Sequence, residues 1–585
     1  MDAPGKDAIA GVLESIAQLL ELKGENPFKV RAYTNAARAI ETHSGDLVAL
    51  AREQRLAEIP GVGKAIAEKL GELLLTGELK YYTELKAEFP DSLFELFQLQ
   101  GMGAKKIKVL HEHGITSLGE LEKACGDGRI AAMDGFGAKT AANICQALAQ
   151  RDKYAGEFRL DEALPDAETL LADLREHSDV LHVNVAGSYR RRKEIVHDID
   201  LIVATKAPEN VTRDFLVHPL VDSVIAQGPT KSSVRLKSGL QADLRVVTGD
   251  EYPFALNYFT GSKEHNIVMR NRALKRGWTL NEYRLAPVEN PKSKNAKSAA
   301  PVVRDESQLY RALGLDYVEP ELREDRGEFD AAETGALPEL VALENLRGTF
   351  HCHTTASDGR SSLEEMAAAA QELGLEYLGI ADHSKSSIQA HGLDASQLRL
   401  QRARIAELNK TFNGFRLFSG VECDILKDGS LDFPDDVLAS LDYVVASVHS
   451  AFSLSEAEMT RRIIRAISNP NVTMLGHLTG RLLLTRESYK VDVPAIIDAA
   501  AETKTIIELN SNPRRLDMDW RWWPLARQKG VKCAINPDAH HTSTLQHLWF
   551  GVAAARKGWL TRADVVNCLP LKKIEKQLRV KRAAA

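Results

Sequence analysis

Residues 187–203 read Gly-Ser-Tyr-Arg-Arg-Arg-Lys-Glu-Ile-Val-His-Asp-Ile-Asp-Leu-Ile-Val, which sets a tight turn just ahead of two carboxylates two positions apart. The preceding run Val180 to Ala186 has the apolar alternation of a strand, so Gly187-Ser188 reads as the turn that opens a short helix, where backbone N–H groups can grip phosphate. Asp198 and Asp200 begin a second strand. A period of two aims both carboxylates at one face and Ile199, Leu201 and Val203 at the other. Gln241 to Val247 is another strand-like segment and offers a third carboxylate, Asp243. An isolated Asp-x-Asp is more often a solvated strand edge, but the Gly-Ser turn and the adjoining arginines weigh against that reading. Carboxylates on a rigid strand suit Mg²⁺, which takes its remaining ligands from water and substrate phosphates. The combination is what nucleotidyl transfer requires.

With 585 residues, several domains are expected. Hydrophobic residues make up 44% and charged ones 27%, which is globular rather than disordered. Met1 to Lys23 has acidic residues among its apolar positions and reads as an amphipathic helix rather than a signal peptide. No stretch has the length and apolarity of a membrane span. The six cysteines, Cys125, Cys145, Cys352, Cys423, Cys533 and Cys568, include no Cys-x-x-Cys pair. A disulfide framework or thiolate zinc site is therefore not expected, and a reducing cytoplasm is. A net charge of −6 is not the basic footprint of a nucleic-acid binder, so any DNA contact has to be local.

Residues 1 to about 150 read as short helices broken by Gly-containing turns. Ile59-Pro60-Gly61-Val62-Gly63-Lys64 leads into an apolar-periodic helix, and Gly101-Met102-Gly103-Ala104-Lys105 and Gly135-Phe136-Gly137-Ala138-Lys139 repeat the turn. These turns resemble helix-hairpin-helix motifs, whose backbone N–H groups contact a DNA phosphate without reading sequence. One such turn is more often a helix connection; three, each with a nearby Lys, favour DNA.

Asn257-Tyr258-Phe259-Thr260-Gly261-Ser262-Lys263-Glu264-His265-Asn266, continued by Arg270 to Tyr283, resembles the nucleotide-reading segment of family X DNA polymerases, and the Gly-Ser and Asp-x-Asp elements resemble their palm. The resemblance implies that Tyr258 and Phe259 pack against the incoming sugar near Gly261, that Asn266 reaches the minor-groove edge and that Arg270 lies toward the template. It also implies that Gly187, Ser188 and Arg191 hold the triphosphate. Asp198 and Asp200 would bridge two Mg²⁺ or Mn²⁺ ions, with Asp243 on the ion beside the primer 3′-hydroxyl. Arg192 departs from the pattern, since several relatives have Gly there; a phosphate contact and a DNA contact both stay open for it. Lys69 falls where the lyase domain of eukaryotic relatives carries its Schiff-base lysine, and Tyr33 also matches that domain. A solvated face lysine is the favoured reading of Lys69, with sugar-phosphate lyase activity as the alternative.

Nine of the 17 histidines follow residue 350. The order is His351-Cys352-His353, Asp358, Asp382-His383, Glu422, His449, His477, and Asp538-Ala539-His540, mostly after apolar strand-like runs such as Tyr377 to Ala381, Tyr443 to Val448, Thr505 to Leu509 and Val531 to Asn536. Strands alternating with helical stretches predict a parallel α/β barrel, with these side chains at one end. The series resembles the PHP (polymerase and histidinol phosphatase) domain of bacterial family X polymerases. It implies nine ligands, His351, His353, Asp358, His383, Glu422, His449, His477, Asp538 and His540, holding up to three Mn²⁺, Zn²⁺ or Fe²⁺ ions. Leu478 stands where the family commonly has Pro. The implied reaction is 3′–5′ exonucleolytic hydrolysis, with abasic-site cleavage as a further expectation.

The expected architecture is a multidomain α/β protein. It comprises a lyase-like helical domain (1–85), helical fingers (86–152), a nucleotidyltransferase palm (153–252), a thumb (253–325), a polar linker (326–345) and a PHP barrel (346–585), with a Lys-rich surface loop at 290–300. The expected partners are gapped or primer-template DNA and deoxynucleoside triphosphates, and a monomer is expected. Three rivals stand beside this reading: a non-templated nucleotidyltransferase, a PHP domain or whole chain that serves only as scaffold, and a histidinol-phosphate phosphatase in the C-terminal half.

Overall fold

The computed structural model of the chain describes residues 6–43, 45–99, 102–288 and 299–584. Gly101 and residues 290–298 of the expected loop lie outside them. Two compact units result, Met1–Ala155 and Gly156–Ala585. Among the described residues no helix is long and apolar enough to cross a membrane.

Among the described residues the first unit holds helices and no strand. Helices Lys6–Lys23, Pro27–Thr42 and Lys64–Thr76 bury Leu13, Ile16, Leu20, Ile40, Ile66 and Leu70, the apolar face their periodicity predicts. The helices Lys64–Thr76 and Ala104–Glu112 start directly after Gly63 and Gly103, and Ala138–Lys153 after Gly137. Gly61 and Gly135 take φ of +95° and +80°, which an L side chain resists. A Cβ added at Gly63, Gly103 or Gly137 would meet nothing within 4 Å, so the backbone at these three glycines is open. Lys64, Lys105 and Lys139 are exposed beside them. Cys125 and Cys145 form a single disulfide, a pairing that the lack of a Cys-x-x-Cys motif did not suggest. Helices Leu118–Gly126 and Ala138–Lys153 bring the two together, which a separation of 20 residues does not reveal. The argument for a reducing compartment loses that support.

In the second unit a five-stranded sheet has the order Val180–Val185, Asp198–Thr205, Gln241–Val247, Lys231–Leu236, Val221–Gln227. Only its second and third strands run parallel. Ile199, Leu201 and Val203 point into the core, as alternation requires. The C-terminal strands form two all-parallel groups. Gly348–Cys352, Tyr377–Ile380 and Arg416–Ser419 make one; Glu422–Asp424, Val445–Ser447, Met474–Leu475, Ile506–Asn510 and Cys533–Asn536 make the other. Parallel bridges His383 to Glu422 and Cys352 to Ala539 join the groups at both edges, giving a distorted barrel.

Residues 326–345 are not a free linker. They hold the helix Glu328–Thr334, and the Glu328 carboxylate accepts hydrogen bonds from the Asp325 and Arg326 N–H groups, both at 2.7 Å, while lying 2.8 Å from His265 Nδ1. Composition marked this segment as polar, and its buried carboxylate, Glu328, is hydrogen-bonded inside.

Candidate metal centres

The parallel register sets Asp200 directly opposite Asp243 and Asp198 opposite Gln241. Carboxylate oxygens of Asp198, Asp200 and Asp243 consequently lie within 4.8 Å of one another. Gly187 has φ +61°, and a Cβ there would sit 2.4 Å from Asp200 Oδ2, so only glycine lets the turn approach the acidic strand. Burial, then the charges of Asp198 and Asp243, push the Asp200 carboxyl up to about 7. Burial would raise Asp243 as well, but hydrogen bonds from Lys231, Ser233 and Gln241 bring it below the usual value. Lys231 Nζ lies 2.5 Å from Asp243 Oδ2, and Gln241 Nε2 donates to Oδ1 at 2.9 Å. Three converging carboxylates with one lysine among them fit a divalent cation.

The turn's arginines are engaged elsewhere. Arg190 donates to both Glu306 oxygens, at 3.1 and 2.6 Å, and to Thr260 Oγ1 at 2.7 Å. Arg191, expected on the triphosphate, donates from Nε to Glu324 at 2.9 Å and from Nη1 to Thr260 O at 2.7 Å. Arg192 adopts φ +53°, where a glycine would be unstrained, and lies 3.2 Å from Glu321 and over the Trp549 ring. Arg191 is thus held by Glu324 and Thr260, and Arg192 by Glu321 and the Trp549 ring. Their acidic and aromatic partners are more than 100 residues away in sequence, so no local signal announces them.

Helix Tyr252–Thr260 carries Tyr258 and Phe259 with their rings edge to face at 5.0 Å. The Arg245 guanidinium lies 4.0 Å above Phe259, and Arg270 5.9 Å from the Tyr258 ring. Asn266 Nδ2 donates to Tyr258 O at 2.6 Å and to Gly261 O at 3.2 Å, so in this arrangement its amide caps the helix end. A Cβ at Gly261 would come within 2.9 Å of the Asn266 side chain. In the helical unit, Lys69 Nζ lies 4.7 Å from the Tyr81 ring, which stacks on Tyr33.

The barrel gathers all nine residues of the His and carboxylate series. Three clusters have ligand atoms within 4.8 Å: His353, Asp358, His383 and His540; His351, His353 and Asp538; His383, Glu422 and His449. His477 stands just outside them, with Nε2 2.9 Å from Glu422 Oε1 and 3.3 Å from His449 Nε2. His351 Nε2 and His383 Nδ1 are buried without a hydrogen-bond partner, yet they approach Glu422 oxygens to 3.1 and 2.9 Å. Close approach at angles wrong for hydrogen bonds fits lone pairs converging on a cation. Burial would raise the Glu422 carboxyl, but His351, His449 and His383 hold it well below its usual range. Burial, then His540 and His383, push His353 down to about 3, leaving a neutral imidazole able to ligate. Asp358 and His540, 31% and 36% exposed, mark the open side.

Two further carboxylates orient these ligands. Glu508 accepts from His351 Nδ1 at 2.6 Å, and Asp424 lies 2.5 Å from His449 Nδ1. Each sits in a buried strand, Ile506–Asn510 and Glu422–Asp424, and a lone carboxylate inside an apolar run is the signal that could have found Glu508.

Sequence comparisons match four segments of the chain. Family models match for a helix-hairpin-helix domain over residues 4–79, a SAM-like helix-hairpin-helix tandem over 94–150, a DNA polymerase beta thumb over 255–324 and a PHP domain over 349–512. The DNA polymerase/3′-5′ exonuclease PolX of Bacillus subtilis (strain 168) is 38% identical over 577 residues, which cover 98% of this chain and 99% of that protein. The chain belongs to the PolX family. DNA polymerase lambda of Rattus norvegicus is 26% identical over 336 residues, 53% of this chain and 55% of that one. A probable phosphatase of Caldicellulosiruptor bescii is 31% identical over 204 residues, 33% of this chain and 80% of that protein. The PHP match stops at residue 512, and the fold itself carries Asp538 and His540 into the clusters.

Proposed function

We propose that this PolX chain extends primer 3′ ends in gapped DNA from deoxynucleoside triphosphates and trims the same kind of end in its C-terminal barrel. The observation that carries the reading is the pairing of two metal-ligand sets in one unit: Asp198, Asp200 and Asp243 beside a glycine turn, and nine His and carboxylate groups at one barrel end. Asp198 and Asp200 would hold Mg²⁺ or Mn²⁺ against the triphosphate, with Asp243 on the side of the primer hydroxyl. In the barrel, neutral imidazoles with carboxylates suit Mn²⁺, Zn²⁺ or Fe²⁺. Divalent cations in these centres supply charge neutralisation at phosphoryl oxygens and make an anionic attacking oxygen cheaper to form.

The chain's own groups do the rest. Lys231 and Gln241 fix the Asp243 carboxylate, so its free lone pairs face the other two. Gly187 and Ser188 bring backbone and hydroxyl donors to the triphosphate. Tyr258 and Phe259 wall the sugar, and Arg270 lies beside Tyr258 toward the template. In the barrel, Glu508 and Asp424 fix the orientation of His351 and His449, while Asp358 and His540 face the entering strand. The turns at Gly61, Gly63, Gly103, Gly135 and Gly137, with Lys64, Lys105 and Lys139, hold DNA by its phosphates, independent of sequence.

The test is extension and digestion of one gapped duplex by the parent, Asp198→Ala and His351→Ala proteins. Asp198→Ala is expected to digest without extending, and His351→Ala to extend without digesting. Extension by Asp198→Ala removes the palm reading; undiminished digestion by His351→Ala makes the barrel a scaffold. The likeness to a probable phosphatase makes a phosphomonoester the rival barrel substrate, so release of inorganic phosphate rather than mononucleotides would favour that reading. Cleavage of abasic DNA, and borohydride trapping at Lys69, test the two remaining expectations; absence of product or adduct removes each.

A further inference from the structure

The phosphate turn of the palm is held from the C-terminal barrel. Helix Leu548–Lys557 starts eight residues after His540 and carries Trp549 in its first turn and Arg556 and Lys557 in its last. Two carboxylates lie between this helix and the turn, and each is shared by one cation from either side. Glu321 Oε1 is 3.2 Å from Arg192 Nε and accepts from Arg556 Nε at 2.7 Å. Glu324 Oε1 accepts from Arg191 Nε at 2.9 Å and from Lys557 Nζ at 2.5 Å.

The lysine is completely buried and also donates to the Arg191 and Glu321 carbonyls, both at 3.3 Å. The Arg192 guanidinium lies 5.0 Å from the Trp549 ring, and Glu194, at the end of the turn, accepts from Trp520 Nε1 at 3.0 Å. Arg192 and Glu194 share a lining with Trp520, Phe550 and Ala553. A paired, desolvated network of this kind fixes geometry more than it adds stability, because removing one partner leaves a buried charge uncompensated. A left-handed Arg192 is strain that only such contacts sustain.

We propose that helix Leu548–Lys557 is a positioning element for nucleotide binding, with Trp549 and Lys557 setting the place of the turn Gly187–Lys193 and so the affinity for the incoming triphosphate. The inference rests on the reading of that turn as the triphosphate grip. Neither Trp549 nor Lys557 touches substrate. Each acts through Arg191 and Arg192, and the polymerase thereby depends on the barrel for more than tethering.

Steady-state extension of a gapped duplex at varied deoxynucleoside triphosphate tests this, using the full chain and the variants Trp549→Ala, Trp549→Phe, Lys557→Met and Ser188→Ala. Trp549→Ala is expected to raise the triphosphate KM about fivefold or more while kcat stays within about twofold, since a ground-state grip is lost and the carboxylates stay in place. Trp549→Phe, which keeps a ring under Arg192, is expected to return KM most of the way. Retained 3′–5′ digestion reports an intact barrel in each variant. If Lys557→Met loses both activities it has failed to fold, and the Trp549 pair decides alone. An unchanged KM in Trp549→Ala, beside a raised KM in Ser188→Ala, overturns this inference and leaves the polymerase reading standing. An unchanged KM in Ser188→Ala as well removes the reading of the turn, and the inference with it.

Discussion

Glu508 accepts a hydrogen bond from His351 Nδ1 at 2.6 Å, and both side chains are fully buried. The same carboxylate accepts from the His477 N–H at 3.1 Å and from Asn536 Nδ2 at 2.8 Å, so one residue sets the tautomer of one metal-site histidine and the backbone of another. Orienting groups of this kind are worth about 10- to 100-fold in metal affinity. Glu508→Gln keeps the volume but removes the charge, and its amide can donate toward Nδ1. The expected outcome is a loss of barrel metal at chelator concentrations the parent withstands, read by metal analysis after dialysis, with primer extension unchanged. Parent-like retention of metal would refute the orienting role.

Gly187→Ala tests the approach of turn and strand. The new methyl would lie 2.4 Å from Asp200 Oδ2 at φ +61°, so either the turn or the carboxylate has to move. Forcing alanine into that conformation costs about 1–2 kcal/mol, and a displacement near 1 Å at a reacting group costs about 100-fold in rate. Primer extension is expected to fall by about that factor, with digestion by the barrel retained. Extension within a few-fold of the parent would show that the close contact is dispensable.

The pH dependence of stability has one well-placed source in Glu306. Burial alone would raise its carboxyl, but Arg323 and Arg190 bring it down to about 2 from an ordinary 4.5. A depressed carboxylate contributes stability that is fully present above the unfolded value and lost as pH falls through the folded one. The window therefore runs from about 4.5 down to 2, and the shift corresponds to roughly 3 kcal/mol. Glu306→Gln is expected to unfold at lower denaturant than the parent near pH 7, and the gap is expected to close as pH is lowered below 4.5. A gap that stays constant from pH 7 to pH 3 would mean the ion pairs contribute nothing net.

What the sequence made legible was what sits on regular periods. Asp198 and Asp200 were readable because strands alternate, and Asp243 because it stands in another strand-like run; that Asp200 lies opposite Asp243 came only with the register. The nine barrel residues were readable because they follow short apolar runs, and strand ends of a parallel barrel share one rim. What stayed hidden depends on pairings remote in sequence. Nothing near Arg191 and Arg192 in sequence shows that Glu324, Glu321 and Trp549 lie beside them. Residues 326–345 looked like a linker because nothing local shows that Glu328 meets His265. Cys125 and Cys145 were two scattered thiols until their helices packed.

The DNA grip proposed for the helical unit makes a quantitative prediction about salt. Lys64, Lys105 and Lys139 are exposed beside Gly63, Gly103 and Gly137, where the backbone is open. Each phosphate neutralised on a duplex adds about 0.9 to the slope of log affinity against log salt. Replacing all three lysines with alanine is therefore expected to flatten that slope by about 2.7, equally for duplexes of unrelated sequence. The backbone N–H contacts carry no net charge and survive the substitution, so residual binding at low salt is expected. Equilibrium binding across a salt series checks both parts. A slope unchanged by the triple substitution would place the phosphate contacts elsewhere, and a loss confined to one sequence would contradict a grip made only through the phosphate backbone.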